Sequence, residues 1–488
     1  MNLSKSKYCE GIQCKKILWL EKYHPEEKEE PSNQSVLENG TEVGILAKSL
    51  FGEYIDIEYN TDLNKMIADT KKCIKENETC NITEASFLYQ NNFCSVDILR
   101  KNKNHYEIYE VKSSTEIKDI YIEDASYQYY VLKNLGYQVE KVYIVYLNSH
   151  YNRGKELDLQ KLFIKKDITG LAKEKEVQKK INEIEEYMRQ TEEPKDRIGL
   201  HCTKPYDCPF FSYCTKHLLK PNVFDIRGMR ASTKFKWYDK GIYTFQDLIK
   251  EDLKENYLEQ IDHEINNRED KIKKQEIKNF LETLRYPIYF LDFETFQQAV
   301  PMYEGIHPYE QIPFQYSLHY IEKEQGPLKH KEFLAPSGID PRRLLAESLT
   351  KDIPKDVCTL AYNMSFEKNT IKSLANQYPD LSEHLQNIHD NIKDLMQPFI
   401  KRDYYTKSMQ GSYSIKYVLP ALFPNEPSLN YHNLEEVHNG SEAMSAYANM
   451  NKLSQEEQEQ LRHNLLKYCE LDTYAMVKIF EKLEEVIK

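Results

Sequence analysis

The sequence predicts an α/β protein with more than one domain, and three observations lead to that prediction. Its 488 residues are more than one ordinary hydrophobic core organises, so two or three domains are expected. With 40% hydrophobic and 30% charged residues, the composition is typical of a soluble globular chain. Strand-like apolar runs also alternate with helical segments in both halves of the chain.

The charge and the cysteine count restrict the classes of partner and cofactor. The net charge of −12 means that any nucleic-acid site has to be local, formed by Lys/Arg patches or metal ions. No run of about 18 apolar residues and no signal-peptide pattern occurs, so we expect a cytoplasmic protein with no membrane partner. Because the cytoplasm keeps thiols reduced, a disulfide framework is not expected for the 10 cysteines, and their spacing becomes informative.

The N-terminal half has the strand and helix order of an α/β domain. Strand-like runs occupy 93–99, 105–113 and 140–147, and a helix-like run from Ile122 to Leu135 separates the last two. A charged helical stretch then leads into a loop rich in cysteine and proline. We therefore predict one domain over 1–220.

The C-terminal half returns to an α/β order after a charged helical segment. Residues 221–284 are predicted to form a helical linker, in which Gly241 separates two helices. That pair is either a helix-hairpin-helix-like element that binds a nucleic-acid backbone or a plain spacer. A second domain is predicted over 285–488, which begins with the apolar strand YPIYFLDFET and ends in a long helix from about 454 to 487.

A first group of polar residues lies on the predicted strands of the N-terminal domain. If 93–99 and 105–113 are antiparallel neighbours, Asp97, Glu110 and Lys112 share one face, since side chains two apart point the same way. Two carboxylates hold a hard cation such as Mg²⁺, and a lysine beside them can polarise an attacking water, as phosphodiester hydrolysis requires. The alternative is a solvated hairpin without chemistry.

Cysteines form a second group, which is split between the two ends of the N-terminal domain. Three are spaced by six positions, at Cys202, Cys208 and Cys214, and Cys14 lies near the start of the chain. The cluster of three is compatible with a zinc loop, in which His201 or His217 supplies the fourth ligand. It is also compatible with buried, unliganded thiols.

A third group of acids is distributed over the C-terminal domain. Asp292 and Glu294 end an apolar strand and face one side of it. Tyr468 and Asp472 are four apart and share one face of the last helix. Glu367 lies in sequence between the strand acids and the last helix, on a helix that follows a strand. The alternative is that these acids are solvated ends of helices and strands.

The run from Asp97 to Gln128 resembles the RecB-like family of PD-(D/E)xK nucleases, in which the helix after the Glu-x-Lys strand carries a glutamine. The resemblance implies a restriction-endonuclease-like fold and catalytic roles for Asp97, Glu110, Lys112 and Gln128, with Mg²⁺ or Mn²⁺ on the two acids. The chain departs from the family at Leu132, where a tyrosine is common.

Two further features belong to the same resemblance. The usual His/Glu pair of the first motif is missing, and Glu42 or Glu53 could serve in its place. In the subset of the family that includes the CRISPR adaptation nucleases, one cysteine before the nuclease core and three after it ligate a [4Fe-4S] cluster. Cys14, Cys202, Cys208 and Cys214 resemble that arrangement, with Cys9 as the alternative first ligand.

The C-terminal acids resemble the DEDD exonucleases of the DnaQ-like, ribonuclease H-related fold, and the tyrosine resembles the DEDDy branch. The resemblance implies that Asp292, Glu294, Glu367 and Asp472 bind two metal ions about 3.5–4 Å apart, while Tyr468 orients the nucleophilic water. Glu367 replaces the family's usual aspartate, and Asp394 is the alternative fourth ligand.

As a whole, the chain resembles an uncharacterised bacterial family that pairs a RecB-like half bearing a cluster with a DnaQ-like half. This resemblance implies a metal-dependent nuclease with a 3′–5′ exonuclease domain. The resemblance also implies that it acts on nucleic acid, with DNA ends favoured over RNA, in genome defence or DNA repair. The alternative is a non-catalytic nucleic-acid-binding scaffold in which one or both sites are degenerate. Protein partners stay open.

Overall fold

A computed structural model describes residues 3–30, 34–429, 431, 434 and 437–488, with the backbone alone for 34–39. The chain divides into two compact units. The first unit comprises Met1–Leu218 with Gln298–Glu310, and the second comprises Leu219–Gln297 with Gln311–Lys488. The segment expected to be a linker, 221–284, therefore packs within the second unit. The architecture is mixed α/β, as the pattern of apolar residues predicts.

The first unit is built on one mixed sheet. Its strands within the described residues are β1 (Leu3–Ser4), β2 (Ile55–Asp56), β3 (Thr79–Tyr89), β4 (Asn92–Asn102), β5 (His105–Lys112), β6 (Gln138–Leu147) and β7 (Phe163–Asp167). The order is β2-β3-β4-β5-β6-β7, and β1 pairs with β4. β3, β4 and β5 form an antiparallel meander, whereas β5 and β6 are parallel and so need a crossover connection.

Helices cover this sheet, and one of them is the crossover. They are α1 (Lys5–Gln13), α2 (Lys15–Tyr23), α3 (Gln34–Lys48), α4 (Leu63–Glu76), α5 (Asp119–Asn134), α6 (Leu159–Leu162), α7 (Thr169–Glu174), α8 (Val177–Tyr187) and α9 (Phe211–Thr215). The predicted strands and the helix between the last two are confirmed, with α5 as that helix. β1, β2, β3 and β7 were not predicted. α5 joins β5 to β6 and buries acidic and amide side chains as well as apolar ones, which marks it as more than a packing element.

The second unit has a five-stranded sheet with a small two-stranded one beside it. Its strands are β8 (Lys271–Ile272), β9 (Ile288–Phe296), β10 (Ile312–Ile321), β11 (Lys329–Leu334), β12 (Cys358–Ala361), β13 (Ile392–Asp394) and β14 (Tyr404–Tyr405). The order in the larger sheet is β11-β10-β9-β12-β13. β10 is antiparallel to both neighbours, while β9, β12 and β13 are parallel.

The helices of the second unit cover both faces of this sheet. They are α10 (Ala231–Asp239), α11 (Phe245–Leu248), α12 (Glu255–Asn266), α13 (Lys274–Leu281), α14 (Arg342–Asp352), α15 (Ser365–Gln377), α16 (Pro379–Asp390), α17 (Gln397–Ile400), α18 (Ile415–Leu422), α19 (Gly440–Asn449) and α20 (Gln455–Ile487). α10 and α11 flank Gly241, whose φ of 80° makes the predicted turn. None of the described helices combines the length and the apolar character that a membrane span needs.

The alternation of side chains along β9 decides where its acids point. Ile288 and Phe290 pack into the core that contains α20, whereas Tyr289 and Leu291 pack into the core on the opposite face, with α14, α15 and α16. Asp292 lies two residues after Phe290, so its side chain points to the same face of β9 as those of Ile288 and Phe290. The strand therefore directs its carboxylate toward α20.

Candidate active sites

Asp97, Glu110, Lys112 and Gln128 meet at one place in the first unit, here called the lysine site. The antiparallel pairing of Ile98 with Tyr109 puts the two strands in register, and the Val111 amide donates to Asp97 Oδ2 at 2.7 Å. Lys112 Nζ donates to Glu110 Oε1 at 2.7 Å. Asp97 and Lys112 are 24% and 20% exposed, whereas Glu110 is buried, so the site opens on one side only.

Gln128 joins the site from α5. Its Nε2 donates to Glu110 Oε2 at 2.6 Å and to Asp124 Oδ1 at 3.0 Å. Its Oε1 is buried and has no hydrogen-bond partner among the described residues. Such an orphan oxygen is costly unless a further group satisfies it, and a bound ion or its water is one such group.

Two residues of the lysine site were missed from the sequence. Lys5 Nζ lies 3.1 Å from Asp97 Oδ1 and 3.2 Å from Glu110 Oε1. Asp124 accepts from Lys112 Nζ at 2.6 Å. Asp124 could have been found from its spacing, since it lies four residues before Gln128 and residues four apart share a helix face. No local pattern points to Lys5, which reaches the site from the start of the chain.

Both lysines of the site are held as cations. Burial lowers the pKa of Lys112, but Glu110 and Asp124 outweigh burial and leave that pKa well above its ordinary value. The same balance, with Asp97 and Glu110 as the largest attractions, raises the pKa of Lys5. A divalent cation on Asp97 and Glu110 would therefore compete with the Lys5 ammonium for the same oxygens.

Glu84 is a further carboxyl beside this site. The pairs Thr83–Ile98 and Ala85–Val96 put it opposite Asp97, and its φ of 57° interrupts the extended strand there. Burial raises the pKa of Glu84 to about 7, and the charge of Asp97 adds to that rise. Glu42 and Glu53, the acids considered for the first motif, are both exposed.

The four cysteines form a second site, here called the thiol group. Cys14 lies between α1 and α2, and the others lie in the loop after α8 or on α9; all four are unpaired. Burial, together with the charges of Cys202, Cys14 and Cys214, raises the pKa of Cys208 to about 12. The four thiols therefore interact with one another.

Cys9 lies elsewhere. Burial raises its pKa, and the charged groups that act on it are those of the lysine site, Asp124, Lys112 and Glu110. Its thiol faces the Ile120 carbonyl at 4.0 Å. The structure thus places Cys14, and not Cys9, with the late cysteines.

Asp292, Glu294, Glu367 and Asp472 form the third site, here called the carboxylate site. One oxygen each from Asp292, Glu294 and Asp472 lies within 4.8 Å of the others. Glu367 is buried on α15, and its charge acts on both Asp292 and Glu294. Its Oε2 has no hydrogen-bond partner within the described part of the chain. Converging carboxylates with an orphan oxygen fit a divalent cation.

Burial and mutual repulsion perturb these acids strongly. Burial first, then Asp472 and Glu294, raise the pKa of Asp292 well above its ordinary value, and Glu294 behaves alike. Burial raises the pKa of Asp472 to about 6 and that of Glu367 to about 8. In the absence of a cation, the site therefore holds protons near neutral pH.

Two tyrosines are hydrogen-bonded to Asp472. Tyr468 does so from the preceding turn of α20, as the spacing predicts. Tyr431 was missed, and its hydroxyl donates to Asp472 Oδ1 at 2.6 Å. The exposed Lys416 of α18 is the one cation that acts on both Glu294 and Asp472 among the described residues.

Asp394, the alternative fourth ligand, has a different environment. Its Oδ1 accepts from the backbone amides of Asn363 and Met396, each at 3.0 Å. Its charge acts on Glu367. It thus flanks Glu367, with one oxygen already used by the backbone.

The metal-free carboxylate site should make stability depend on pH. A carboxyl whose pKa is raised by folding stabilises the folded state at low pH, and that contribution is lost as pH rises through the folded pKa. For Glu367 the loss runs from pH 4.5 to about 8. We expect the melting temperature in EDTA to fall more steeply over this range in wild type than in Glu367→Gln, and Mg²⁺ to flatten the wild-type curve. Parallel curves in EDTA would contradict the raised pKa of Glu367.

Comparison with known proteins connects the chain to proteins of unassigned role. The sequence profile of a family described as a domain of unknown function (DUF2779) matches residues 289–414. That span contains Asp292, Glu294, Glu367 and Asp394, and ends before Tyr468 and Asp472.

Two curated relatives have also been found. The chain is 28% identical over 228 residues to an uncharacterized protein, MG366, of Mycoplasma genitalium, an alignment that covers 43% of this chain and 34% of that protein. It is 26% identical over 263 residues to an uncharacterized protein, UU173, of Ureaplasma parvum, covering 50% and 38%. The matched segments thus span little more than a third of each relative. No solved structure matches the chain.

Proposed function

We propose that the chain is a metal-dependent nuclease that hydrolyses phosphodiester bonds at the carboxylate site and at the lysine site. The observation that carries the proposal is the approach of Asp292, Glu294 and Asp472 to within 4.8 Å, with Tyr468 hydrogen-bonded to Asp472. Carboxylates that repel one another this strongly are expected where a divalent cation compensates them.

The topology of the second unit supports a ribonuclease H-like, DnaQ-like domain. In its five-stranded sheet the first strand, β9, is central, and the next two strands along the chain, β10 and β11, lie on one side of it. The last two, β12 and β13, lie parallel on the other side. This order, with β10 alone antiparallel to β9, is the one expected for that fold, and it brings the first strand beside the C-terminal helix.

In the proposed 3′–5′ exonuclease, the residues of the carboxylate site have different roles. Asp292, Glu294, Glu367 and Asp472 would hold Mg²⁺ or Mn²⁺, which stabilises charge on the attacking and leaving oxygens. Tyr468 and Tyr431 are hydrogen-bonded to Asp472 and would fix the orientation of its carboxylate, and Tyr468 would also orient the attacking water. Lys416 is exposed beside two of the acids, where it can attract a phosphate of the substrate.

The first unit supports a PD-(D/E)xK, RecB-like domain in the same way. α4 precedes the antiparallel β3–β4–β5 meander, and α5 crosses to the parallel β6. Asp97 and Glu110 would hold the cation, and Lys112 is hydrogen-bonded to Glu110, where it can polarise a water. Gln128 holds Glu110 and offers its unpartnered Oε1.

A [4Fe-4S] cluster on Cys14, Cys202, Cys208 and Cys214 completes the proposed first domain. Thiolates of a tetrahedral zinc site lie about 3.8 Å apart, from Zn–S bonds of about 2.3 Å. Among the described residues no cysteine belongs to a set of three or more possible ligands whose atoms all lie within 4.8 Å of one another. The wider separation favours the larger cofactor. A cluster bound there would hold the start of the chain against the segment after α8.

A nucleic-acid-binding scaffold without catalysis is the second candidate for the first unit. The observation that favours it is Lys5, whose ammonium bridges the two carboxylates that would bind the cation. In that case the second unit alone cleaves, and the first grips DNA ends. Genome defence or DNA repair is the proposed setting.

End-labelled substrates test the proposal directly. The intact protein, prepared without oxygen, is incubated with single- and double-stranded DNA and RNA in Mg²⁺, Mn²⁺ or EDTA. We expect metal-dependent release of nucleotides from 3′ ends of DNA. If no substrate is cleaved in the presence of either metal, the proposed nuclease function is wrong.

Lys112→Arg is expected to stop cleavage at the lysine site while sparing the fold. The charge on Glu110 and Asp124 is kept, but the guanidinium cannot place its proton where the ammonium does. Loss of a positioned proton donor costs about a hundredfold or more in rate. The measurement is residual cleavage in an Asp292→Asn background, with the melting temperature as a check of folding. Undiminished cleavage would remove Lys112 from catalysis.

Glu367 and Asp394 can be told apart by matched substitutions. We expect Glu367→Gln to lower the exonuclease rate by about a hundredfold or more, because it removes a charge that helps hold the cation. Asp394→Asn should keep most of the activity, since its role is to cap two backbone amides. The reverse order of rates at saturating Mg²⁺ would make Asp394 the ligand.

A further inference from the structure

A polar cluster lies between α20 and the edge of the larger sheet in the second unit, outside the carboxylate site. His319 on β10 and His330 on the edge strand β11 are cross-strand partners, with ring centroids 4.4 Å apart. Glu470 reaches them from α20. One ligand atom from each of the three residues lies within 4.8 Å of the others. His319 is buried, and the other two are partly exposed.

Hydroxyl groups hold both imidazoles from behind. Thr473 Oγ1 donates to the Glu470 carbonyl at 3.2 Å, so it can only accept from Ser317 Oγ at 2.7 Å and from His319 Nδ1 at 2.8 Å. Ser317 has then used its proton, and it accepts from His330 Nε2 at 2.9 Å. Each ring therefore carries its proton on the nitrogen that faces a hydroxyl. The second nitrogen of each ring is left with a lone pair.

We propose that His319, His330 and Glu470 bind a transition metal ion of the zinc class. Two imidazoles and one carboxylate are a common donor set for Zn²⁺, whereas Mg²⁺ and Ca²⁺ prefer oxygen ligands alone. Hydrogen bonds on the far nitrogens of the rings are the usual support of metal-binding histidines. The ion differs in class from the hard cations proposed for the carboxylate site.

The separation of His330 from Glu470 requires only a small closure to reach the geometry of a zinc site. His330 Nδ1 and Glu470 Oε1 are 3.9 Å apart. Ligand atoms of a tetrahedral zinc ion lie about 3.3 Å apart, from bonds of about 2.0–2.1 Å. Lys467 donates to Glu470 Oε2 at 2.6 Å, which leaves Oε1 for the ion.

An ion bound at this position would connect separate elements of the second unit. It would join the edge strand β11 and its neighbour β10 to α20, the helix that carries Tyr468 and Asp472. The site itself has no residue in common with the carboxylate site. Metal binding can therefore be measured whether or not the protein cleaves nucleic acid.

Zinc binding by the intact protein tests the inference. Anaerobically purified protein that retains its iron is stripped with EDTA and titrated with Zn²⁺ in excess Mg²⁺, and bound zinc is measured by mass spectrometry. The variants are His330→Gln and Glu470→Gln, with His389→Gln as control. His389 matches His330 in exposure, 22% against 23%, but lies on α16. Differences between variants cancel any zinc taken up by cysteines.

We expect wild type and His389→Gln to bind one more zinc per chain than His330→Gln and Glu470→Gln, or to bind it at least about a hundredfold more tightly. Thr473→Val, which removes a hydroxyl behind His319, should weaken zinc by about 10–100-fold. Asp292→Asn should leave the zinc unchanged. The inference would be overturned if wild type and His389→Gln bound zinc with the same stoichiometry and affinity as His330→Gln and Glu470→Gln. It would also be overturned if wild type bound no zinc under these conditions. If His330→Gln fails to fold, the Glu470→Gln and Thr473→Val affinities decide in the same way.

Discussion

Asp292→Asn is expected to reduce release of nucleotides from 3′ ends by about a thousandfold or more, since a metal ion contributes several kcal/mol to the transition state. The substitution removes one of three carboxylates whose oxygens converge within 4.8 Å. Asn keeps the shape but not the charge, so the cation is held more weakly. The rate is measured on end-labelled DNA in the full chain, at the Mg²⁺ concentration that half-saturates the wild-type protein.

Stability separates this loss from misfolding. Asp472 and Glu294 repel Asp292, so the metal-free Asp292→Asn protein should melt at or above the wild-type temperature. Asp390→Asn, an exposed control on α16, should retain full activity. Tyr468→Phe should slow cleavage while changing the Mg²⁺ requirement less than Asp292→Asn does. Full activity in Asp292→Asn would end the exonuclease proposal.

The sequence predicts β4, β5, β6 and β9 well, because their signals are local. β9 carries an unbroken apolar run followed by two acids of equal parity, and α20 carries a long helical pattern that starts at a Ser454–Glu457 capping box. β3 was missed because its polar and apolar residues do not alternate cleanly and Glu84 interrupts it with a positive φ.

Long-range contacts account for the residues that the sequence does not reveal. Lys5 acts on acids 92 and 105 positions away, and Tyr431 on an aspartate 41 positions away. Neither distance leaves a periodicity for a pattern to detect. Long-range contacts also explain why the sequence did not reveal that residues 298–310 belong to the first unit. Their place there depends on contacts such as the bond from Arg153 Nη1 to the Pro301 carbonyl at 2.5 Å.

Cys214→Ser is expected to remove the iron from the protein and to unfold much of the first unit. Ligand binding at a site that exists only in the folded chain contributes directly to folding, so loss of the cofactor is loss of stability. A loss of even 3–5 kcal/mol corresponds to a fall of about 10 °C in the melting temperature of a unit of this size. Iron and sulphide are assayed after anaerobic purification, with the visible absorbance of the protein.

Cys80→Ser is the matched control, because Cys80, like Cys214, is partly exposed and lies in the same unit, on β3. Its electrostatic partners are Cys73 and Lys101, and none of the thiol group. It should keep the wild-type iron content. Cys9→Ser should also keep its iron, because its thiol faces the lysine site. Stoichiometric zinc without iron or sulphide in the anaerobic wild type would replace the cluster by zinc. Iron retained in Cys214→Ser would remove that residue from the ligands. The raised pKa of its thiol would then reflect burial, with the charges of Cys14, Glu193 and Asp196, and no ligand role.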